Sequence, residues 1–237
     1  DIGNRIGATT LARSERVAAT NEALDRGRYV EIRGDAGVGK SGVLWHFAEL
    51  FEIGGRIVVL SPGRVAGRGW AAMRARLGVD TTARDFLSDL ASDGGAALLI
   101  DNLDSFGDEE RRTANDLLRA AAEVPGVVVI ATARRNFGVY EPSWLDSDAV
   151  KALGPAPPVV IEELSDSEVV ELSEEEPHLA GLLANDHPAR EVVRNLYRLS
   201  RLASRPASSP TPTSELDMAE QWWRSADGER DNGHRER

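Results

Sequence analysis

A glycine-rich segment at residues 34–41 has the residue types and spacing of a phosphate-binding loop. It reads Gly-Asp-Ala-Gly-Val-Gly-Lys-Ser and fits the pattern G-x-x-x-x-G-K-[S/T]. Its glycines allow the backbone to turn N–H groups toward phosphate oxygens, whereas an ordinary glycine turn with a chance lysine is the alternative. We expect Lys40 to reach the β- and γ-phosphates and the Ser41 hydroxyl to bind Mg²⁺. The expected nucleotide-binding residues are Gly34, Asp35, Ala36, Gly37, Val38, Gly39, Lys40, Ser41 and Gly42.

Two carboxylates follow an apolar stretch about 60 residues further along the chain. Asp101 comes directly after residues 96–100, and Asp104 lies three residues later. We expect Asp101 to hold Mg²⁺ through water, as a Walker B aspartate does, or else simply to cap the end of a strand. Asp104 could orient or deprotonate the attacking water, or serve as a turn or N-cap residue of the next helix. The expected metal ligands are thus Ser41 and Asp101.

A third polar group follows the apolar segment 126–132, where Arg134 and Arg135 are adjacent. A basic side chain at this strand end could sense or stabilise the charge of a γ-phosphate. The alternative is a solvated pair of loop arginines. The expected catalytic residues are Lys40, Asp101, Asp104 and Arg134.

The segments that must position these groups alternate between strands and helices. The expected strands are residues 29–33, 56–60, 96–100, 126–132 and 159–161, and the expected helices are residues 11–26, 41–51, 69–77, 82–92 and 108–122. Uniformly apolar strands alternating with helices indicate a parallel sheet covered on both faces. We therefore predict an α/β fold with a five-stranded parallel P-loop sheet flanked by helices.

The pattern changes after about residue 163, where three helical segments follow without a strand. They cover residues 165–173, 177–185 and 188–204 and suggest a small helical lid. We predict a P-loop core at 1–163, a lid at 164–204, and a linker with a partly disordered tail at 205–237. A short helix at 215–224 would carry Trp222 and Trp223. This stretch resembles the beginning of a truncated winged-helix region, and the alternatives are a hydrophobic anchor exposed by truncation or a contact with a partner.

Composition limits the classes of function. The 237-residue chain has a formal net charge of −11, no cysteine and four scattered histidines. Disulfides and thiolate metal sites are excluded, and the acidic balance makes nucleic acid an unexpected partner. Because there is no long apolar run or signal-peptide pattern, we expect a cytoplasmic protein that does not associate with membranes.

The three strand-end motifs, in this order, resemble those of the STAND class of P-loop NTPases, which are AAA+-related and include NACHT and NB-ARC proteins. The segment 98–104 (LLIDNLD) is similar to the NACHT form of Walker B, and 132–134 (TAR) to the Thr-Ser-Arg of the sensor strand. The segment 160–172 is similar to the start of the STAND lid. The resemblance covers about residues 1–204 and favours Arg134 over Arg135 as the sensor.

The resemblance implies the ATPase module of a larger bacterial protein whose effector and sensor domains are missing from this chain. It implies ATP or ADP with Mg²⁺ as ligands, slow hydrolysis to ADP and phosphate, self-association in the ATP state, and signalling or antiviral defence. Three positions depart from the family pattern: Ala133 replaces serine, Asn102 follows Asp101, and Leu196 replaces the usual lid proline, for which Pro188 is an alternative candidate. In the family the region before the first strand contacts the base, so Arg13 is a candidate, although a helix-surface arginine is expected.

Other functions stay open. An AAA+-like ATPase acting on DNA would need a basic groove, and a non-hydrolysing nucleotide-binding scaffold would fit the departures just named. A small-molecule kinase is the least favoured, because the helical segment follows the sheet instead of interrupting it.

Overall fold

The computed structural model describes residues 5–6, 9–11, 13–136, 145–184, 186–187, 190–203, 212, 214 and 216–221. These residues form two compact units. The first contains residues 13–162, and the second contains residues 5–11 together with those from 163 onward. The chain therefore enters the first unit just before Arg13 and leaves it just after Glu162.

In the first unit, strands and helices largely alternate along the chain. The later part of the second unit is helical. The strands are β1 (Arg5–Ile6), β2 (Thr9–Thr10), β3 (Tyr29–Gly34), β4 (Arg56–Leu60), β5 (Ala96–Ile100), β6 (Val127–Arg134) and β7 (Val159–Ile161). The α-helices are α1 (Ser14–Leu24), α2 (Lys40–Phe51), α3 (Trp70–Leu77), α4 (Ala83–Ala91), α5 (Asp108–Glu123), α6 (Ser147–Leu153), α7 (Asp166–Glu175), α8 (Ala180–Leu183), α9 (Arg190–Val193) and α10 (Leu196–Ala203).

The first unit is built on a five-stranded sheet in the order β4-β5-β6-β3-β7, and every pairing in it is parallel. This confirms the predicted α/β class and five-stranded parallel sheet. Strand β6 lies between β3 and β5, so it separates the strand before the glycine-rich loop from the strand before Asp101. Because the strands are parallel, all three carboxyl ends lie at one edge of the sheet.

Both faces of this sheet pack against helices, which is why strand β5 is apolar throughout and β6 nearly so, instead of alternating. One face packs against α5 and its neighbours through a cluster that includes Leu98, Ile100 and Leu117. The opposite face packs against α1 and α2 through a second cluster that includes Ile32 and Phe47. These two cores fix the strand ends that carry the polar groups.

The second unit has a separate core. Strands β1 and β2 pair in antiparallel fashion, and Ile6 and Leu11 are buried together with apolar residues of the C-terminal helices. The buried carboxylate of Glu176 accepts hydrogen bonds from the backbone N and the hydroxyl of Thr9, each at 3.1 Å. The start of α7 has a capping arrangement, in which the Ser165 hydroxyl accepts from the Glu168 backbone N at 3.3 Å.

The predicted first helix begins three residues too early. The apolar spacing of Leu11 with Val17 suggested one helix from residue 11, but α1 begins at Ser14, and Leu11 belongs to the core of the second unit. Arg13, expected on a helix surface, is only 3% exposed and precedes the helix in a left-handed conformation. Apolar periodicity does not reveal which of two cores a residue joins.

The structure also bears on the helices expected elsewhere in the chain. The segment 188–204 is not one helix, because α9 and α10 are separated at 194–195, where the Asn195 side chain accepts from the Arg198 backbone N at 3.3 Å. Helix α6 was missed. Residues 216–221 are helical, but Trp222 and Trp223 lie outside the described residues.

Among the residues that the structure describes, no helix has the length and apolar character needed to cross a bilayer.

Candidate functional site

The glycine-rich loop joins β3 to α2 and has the backbone that its glycines were expected to permit. Gly37 and Gly39 adopt φ angles of 81° and 96°, a region that residues with a side chain rarely occupy. Gly34 is required for a different reason, because a Cβ there would lie 2.4 Å from the Ile161 carbonyl oxygen. The loop ends at the first turn of the 12-residue helix α2, whose unpaired N–H groups and dipole favour an anion.

Lys40 lies at the start of α2 and is buried. Its Nζ donates to the carbonyl oxygens of Gly34 and Asp35 at 3.0 and 2.8 Å. Burial lowers the pKa of Lys40 below its ordinary value, while the negative charges of Asp104, Asp35 and Asp101 act in the opposite direction. A phosphate ligand would add further negative charge and favour the protonated lysine.

The side chains of Ser41, Asp101 and Thr132 meet where helix α2 begins and strands β5 and β6 end. The hydroxyls of Ser41 and Thr132 both donate to Asp101 Oδ1, at 2.8 and 2.7 Å. Thr132 also accepts from the Asn102 backbone N at 2.8 Å, so its hydroxyl joins the two neighbouring strand ends. The Asp101 carboxylate is thereby held in one orientation directly beside the loop.

This arrangement fits a magnesium ion, on the chemistry of its donor set. Mg²⁺ prefers hard oxygen ligands and usually takes one or two protein groups plus phosphate oxygens and waters. Ser41 supplies a hydroxyl and Asp101 a carboxylate, 2.8 Å apart. The described residues contain no cluster of three or more His, Cys, Asp or Glu side chains that would form a metal cage without a nucleotide.

Asp104 and Arg134 form an ion pair next to this group. Arg134 donates to one carboxylate oxygen from Nε at 2.9 Å and to the other from its backbone N at 3.2 Å. The Asp104 side chain is 12% exposed, whereas that of Arg134 is 68% exposed. Both oxygens of Asp104 thus serve Arg134, whose guanidinium remains accessible to a ligand.

These residues line one pocket of about 190 Å³ within the first unit. Its lining residues are Ala36, Gly37, Gly39, Lys40, Ser41, Asn102, Asp104, Ser105 and Arg134. Most of the predicted site residues therefore meet around one space. Asp101 lies beside it through its hydrogen bond to Ser41, while Arg135 pairs with Glu162 at 3.3 Å instead.

Three residues near the loop were not predicted as part of the site. Thr132 orients Asp101, and a lone hydroxyl within the apolar run 127–133 was the available signal. Asn102 lines the pocket with a left-handed backbone, φ 56°, which sequence spacing does not reveal. Arg13 was considered only for base contact, but its guanidinium donates to the carbonyl oxygens of Val38 in the loop and of Glu162.

Comparison with known proteins shows what this architecture resembles. No protein-family profile matches the chain, and no curated protein matches it. Among solved structures, the Walker-type ATPase of Pyrococcus abyssi aligns with 99% of this chain and 77% of its own, with a TM-score of 0.55 and 13% identity. The ORC2 protein of Aeropyrum pernix, solved in ADPNP–ADP complexes, aligns with 74% of this chain and 54% of its own, with a TM-score of 0.50 and 13% identity.

At these identities the likeness concerns the fold alone. RuvB of Thermotoga maritima also matches, with 18% identity over 84% of this chain and 61% of its own, at a lower TM-score of 0.46. The first unit has the fold of a P-loop NTPase, a five-stranded parallel sheet flanked by helices.

Proposed function

We propose that this chain is a nucleotide-dependent regulatory switch of the STAND type that binds MgATP or MgADP and hydrolyses ATP slowly. The observation that carries the proposal is the convergence of the glycine-rich loop, the Ser41–Asp101–Thr132 cluster and Arg134 around one pocket. The strand-end motifs that resemble STAND proteins supply the finer class. They also suggest signalling or antiviral defence as the setting.

Each group has a specific task in this proposal. Backbone N–H groups of the loop and the charge of Lys40 bind the β- and γ-phosphates. Ser41 and Asp101 would hold Mg²⁺, which, when bound, neutralises charge on the phosphate oxygens. Arg134 reaches toward the γ-phosphate and stabilises the charge that develops there. All of these groups lie on the ends of strands or on the loop, so the sheet keeps them in register.

The arrangement around Asp104 supports slow hydrolysis. An attacking water needs a base within hydrogen-bond reach, and each oxygen of Asp104 already accepts one hydrogen bond from Arg134, which competes with a water for the carboxylate. The residue after Asp101 is Asn102, whose amide cannot take a proton. This competition would slow turnover, which suits a switch better than a motor.

Retention of nucleotide by the purified protein tests the proposal. Wild-type protein is denatured, and the released nucleotide is separated by chromatography, in parallel with Lys40→Ala and with Lys151→Ala as a matched control. We expect bound ADP in the wild type and in Lys151→Ala, but none in Lys40→Ala. A wild type that carries no nucleotide and fails to bind added MgATP would contradict the proposal.

Turnover separates a switch from a scaffold that binds nucleotide without hydrolysing it. We expect slow release of phosphate from ATP by the wild type and a further loss in Asp101→Asn, because Asp101 organises the magnesium site. Tight binding without turnover, unchanged by Asp101→Asn, would favour the scaffold.

The second candidate function is an AAA+-like ATPase acting on DNA. One observation favours it, since residues 56–84 contain six arginines and a single acidic residue, Asp80, in an otherwise acidic chain. Four of these arginines pair with acidic side chains, so much of the local charge is already compensated. The pairs are Arg56–Asp93, Arg68–Glu109, Arg74–Asp80 and Arg84–Glu123. A salt-dependent stimulation of ATP hydrolysis by duplex DNA would support this function over the switch.

A further inference from the structure

Arg13 is a buried cation whose hydrogen bonds connect the glycine-rich loop to the end of β7. Its side chain donates from Nη1 to the carbonyl oxygen of Val38 and from Nη2 to that of Glu162 at 3.0 Å. The residue is 3% exposed. Burying a guanidinium is costly unless its donors are used, so this position is built around these contacts.

The backbone of Arg13 is also unusual. Its φ of 48° and ψ of 41° place it in the left-handed region, which costs a residue with a side chain of the order of 1–2 kcal/mol. At the same time its carbonyl oxygen accepts from the backbone N of Arg16 at 2.8 Å, at the start of α1. An outlier maintained at such a point suggests a functional constraint rather than an accident of the turn.

The contact with Val38 determines how the loop presents its donors. The peptide between Val38 and Gly39 is trans, so its carbonyl and N–H groups point in opposite directions. Because the carbonyl points to Arg13, the Gly39 N–H lies on the opposite side of the peptide, and Gly39 lines the pocket. Arg13 therefore holds one anion-binding N–H in place before a phosphate arrives.

The contact with Glu162 joins this loop to the boundary of the first unit. The chain enters that unit just before Arg13 and leaves it just after Glu162. The Glu162 side chain pairs with Arg135 at 3.3 Å, and the Arg135 backbone N donates to the Gly34 carbonyl at 3.1 Å. The start of the loop, its middle and both chain boundaries are thus linked by a continuous set of hydrogen bonds.

We infer that Arg13 is a positioning residue that preorganises the phosphate-binding loop and links it to the two points where the chain enters and leaves the first unit. This inference deepens the proposed nucleotide-binding function and depends on it. It differs from a base-contacting role, because the two hydrogen bonds described above are donated to backbone carbonyl oxygens of the chain itself. The planar fork of arginine reaches two carbonyls at once, which the single ammonium of lysine does less well.

Calorimetric titration of two ligands tests the positioning role. MgADP and magnesium pyrophosphate are titrated into wild type, Arg13→Ala, Arg13→Lys and Arg26→Ala, in which an exposed arginine near the end of α1 is the matched control. We expect Arg13→Ala to weaken both ligands by about tenfold or more, since a charged hydrogen bond is lost. Arg13→Lys should be weakened less, and Arg26→Ala should stay within about twofold of wild type.

The outcomes separate the alternatives. Weaker MgADP binding with unchanged pyrophosphate binding would overturn the inference in favour of base contact, because pyrophosphate has no base. Unchanged binding of both ligands would overturn it outright. If circular dichroism shows that Arg13→Ala does not fold, the affinities of Arg13→Lys for MgADP and magnesium pyrophosphate distinguish the same alternatives. A wild type that binds neither ligand would instead refute the proposed nucleotide-binding function.

Hydrogen exchange tests the link to the chain boundaries. At saturating MgADP, we expect slower exchange in the peptide covering residues 159–165 of the wild type and of Arg26→Ala. In the Arg13 variant that folds, the loop should still be protected at saturation, while protection of 159–165 is lost. Persistent protection of that peptide in the variant would overturn the linking role.

Discussion

Arg134 and Asp104, which were predicted to act separately, form one ion pair in the structure. From the sequence we expected Arg134 to sense the γ-phosphate and Asp104 to act as a base, because each follows an apolar strand. The structure pairs them through two hydrogen bonds to opposite carboxylate oxygens. Asp104 is thus arranged to hold Arg134, and this pairing competes with the predicted proton-accepting role.

A double-mutant cycle distinguishes a base from a support. If Asp104 supports Arg134, Asp104→Ala and Arg134→Ala should each slow single-turnover ATP hydrolysis by roughly tenfold, and the double variant should be no slower than Arg134→Ala. Asp104→Asn should retain part of the rate, because its amide oxygen can still accept from the Arg134 backbone N.

The opposite pattern would identify Asp104 as the base. Asp104→Asn would then be as slow as Asp104→Ala, and the losses from Asp104 and Arg134 would add. Asp108→Asn is the control, since this exposed acid at the start of α5 lies outside the residues that line the pocket. It should hydrolyse ATP at the wild-type rate.

At the scale of residues, the sequence predicted those parts of the site that can be recognised from neighbouring residues. The loop and Asp101 were identifiable because glycine spacing and a strand-end carboxylate are local features. Thr132 was missed, and Arg13 was considered only for base contact, because their roles depend on partners 31 and 25 residues away. Local patterns do not determine such pairings, which arise only when the strands are placed side by side.

At the scale of elements, Arg28 stabilises the end of α5 from outside the helix. Its guanidinium donates to the carbonyl oxygens of Ala121, Ala122 and Val124 at 3.0, 3.0 and 2.8 Å. The last carbonyls of a helix have no partner within the helix, so this arginine supplies one from the start of β3. It also fixes the approach of α5 to the sheet.

Replacing Arg28 should therefore cost stability without affecting the site. We expect Arg28→Ala to lower the free energy of unfolding of the first unit by about 2 kcal/mol, because several charge-assisted hydrogen bonds to carbonyls are lost. Urea unfolding measures the change. Arg26→Ala, an exposed arginine two residues earlier, should change it by less than about 0.5 kcal/mol. Equal effects of the two substitutions would contradict the capping role.

Helix α6 begins with a carboxylate cap. Asp146 accepts from the backbone N of Ala149 at 2.9 Å and of Asp148 at 3.2 Å, and from Arg119 Nε at 2.7 Å. The hydrogen bond from Ala149 and then that from Arg119 lower the pKa of Asp146 below its ordinary value of 3.8. Because the pKa is lower in the folded state, the carboxylate contributes stability above the unfolded pKa and loses it as pH falls through the folded pKa.

The stability of Asp146 variants should follow this sign. We expect Asp146→Ala to lower the free energy of unfolding by about 1 kcal/mol at pH 7, as loss of an N-cap does. The difference from wild type should stay constant down to about pH 5 and shrink below it. Asp146→Asn, which keeps a cap but loses the charge beside Arg119, should cost less. A difference that grows on acidification, measured by urea unfolding, would contradict this account.

Among the elements, those with a strong apolar pattern were predicted almost to the residue. Strands β4, β5 and β7 have the expected bounds because each contains a continuous apolar run, although only β5 is buried along its whole length. Helix α6 was missed because its seven residues are too few to show a period. The β1–β2 pair was missed because its two-residue strands belong to a core formed mainly by residues far along the chain.

At the scale of the whole molecule, the division into two units has a thermodynamic consequence. Every residue that lines the pocket belongs to the first unit, whereas the core of the second unit contains none of them. A ligand that binds only the folded first unit stabilises it by mass action. At one hundred times its Kd, MgADP should add about 2.7 kcal/mol to the free energy of unfolding of that unit.

The switch proposal makes a further demand on the second unit. A ligand can shift a conformational equilibrium only if it interacts differently with the two states, so MgADP and a non-hydrolysable ATP analogue should protect the second unit to different extents. We expect hydrogen exchange in α7 and α10 to differ between the two nucleotides in the wild type and to show no difference in Lys40→Ala. If both nucleotides protect only the first unit, the chain binds nucleotide without transmitting its identity, and the role of a switch would have to be abandoned for that of a scaffold.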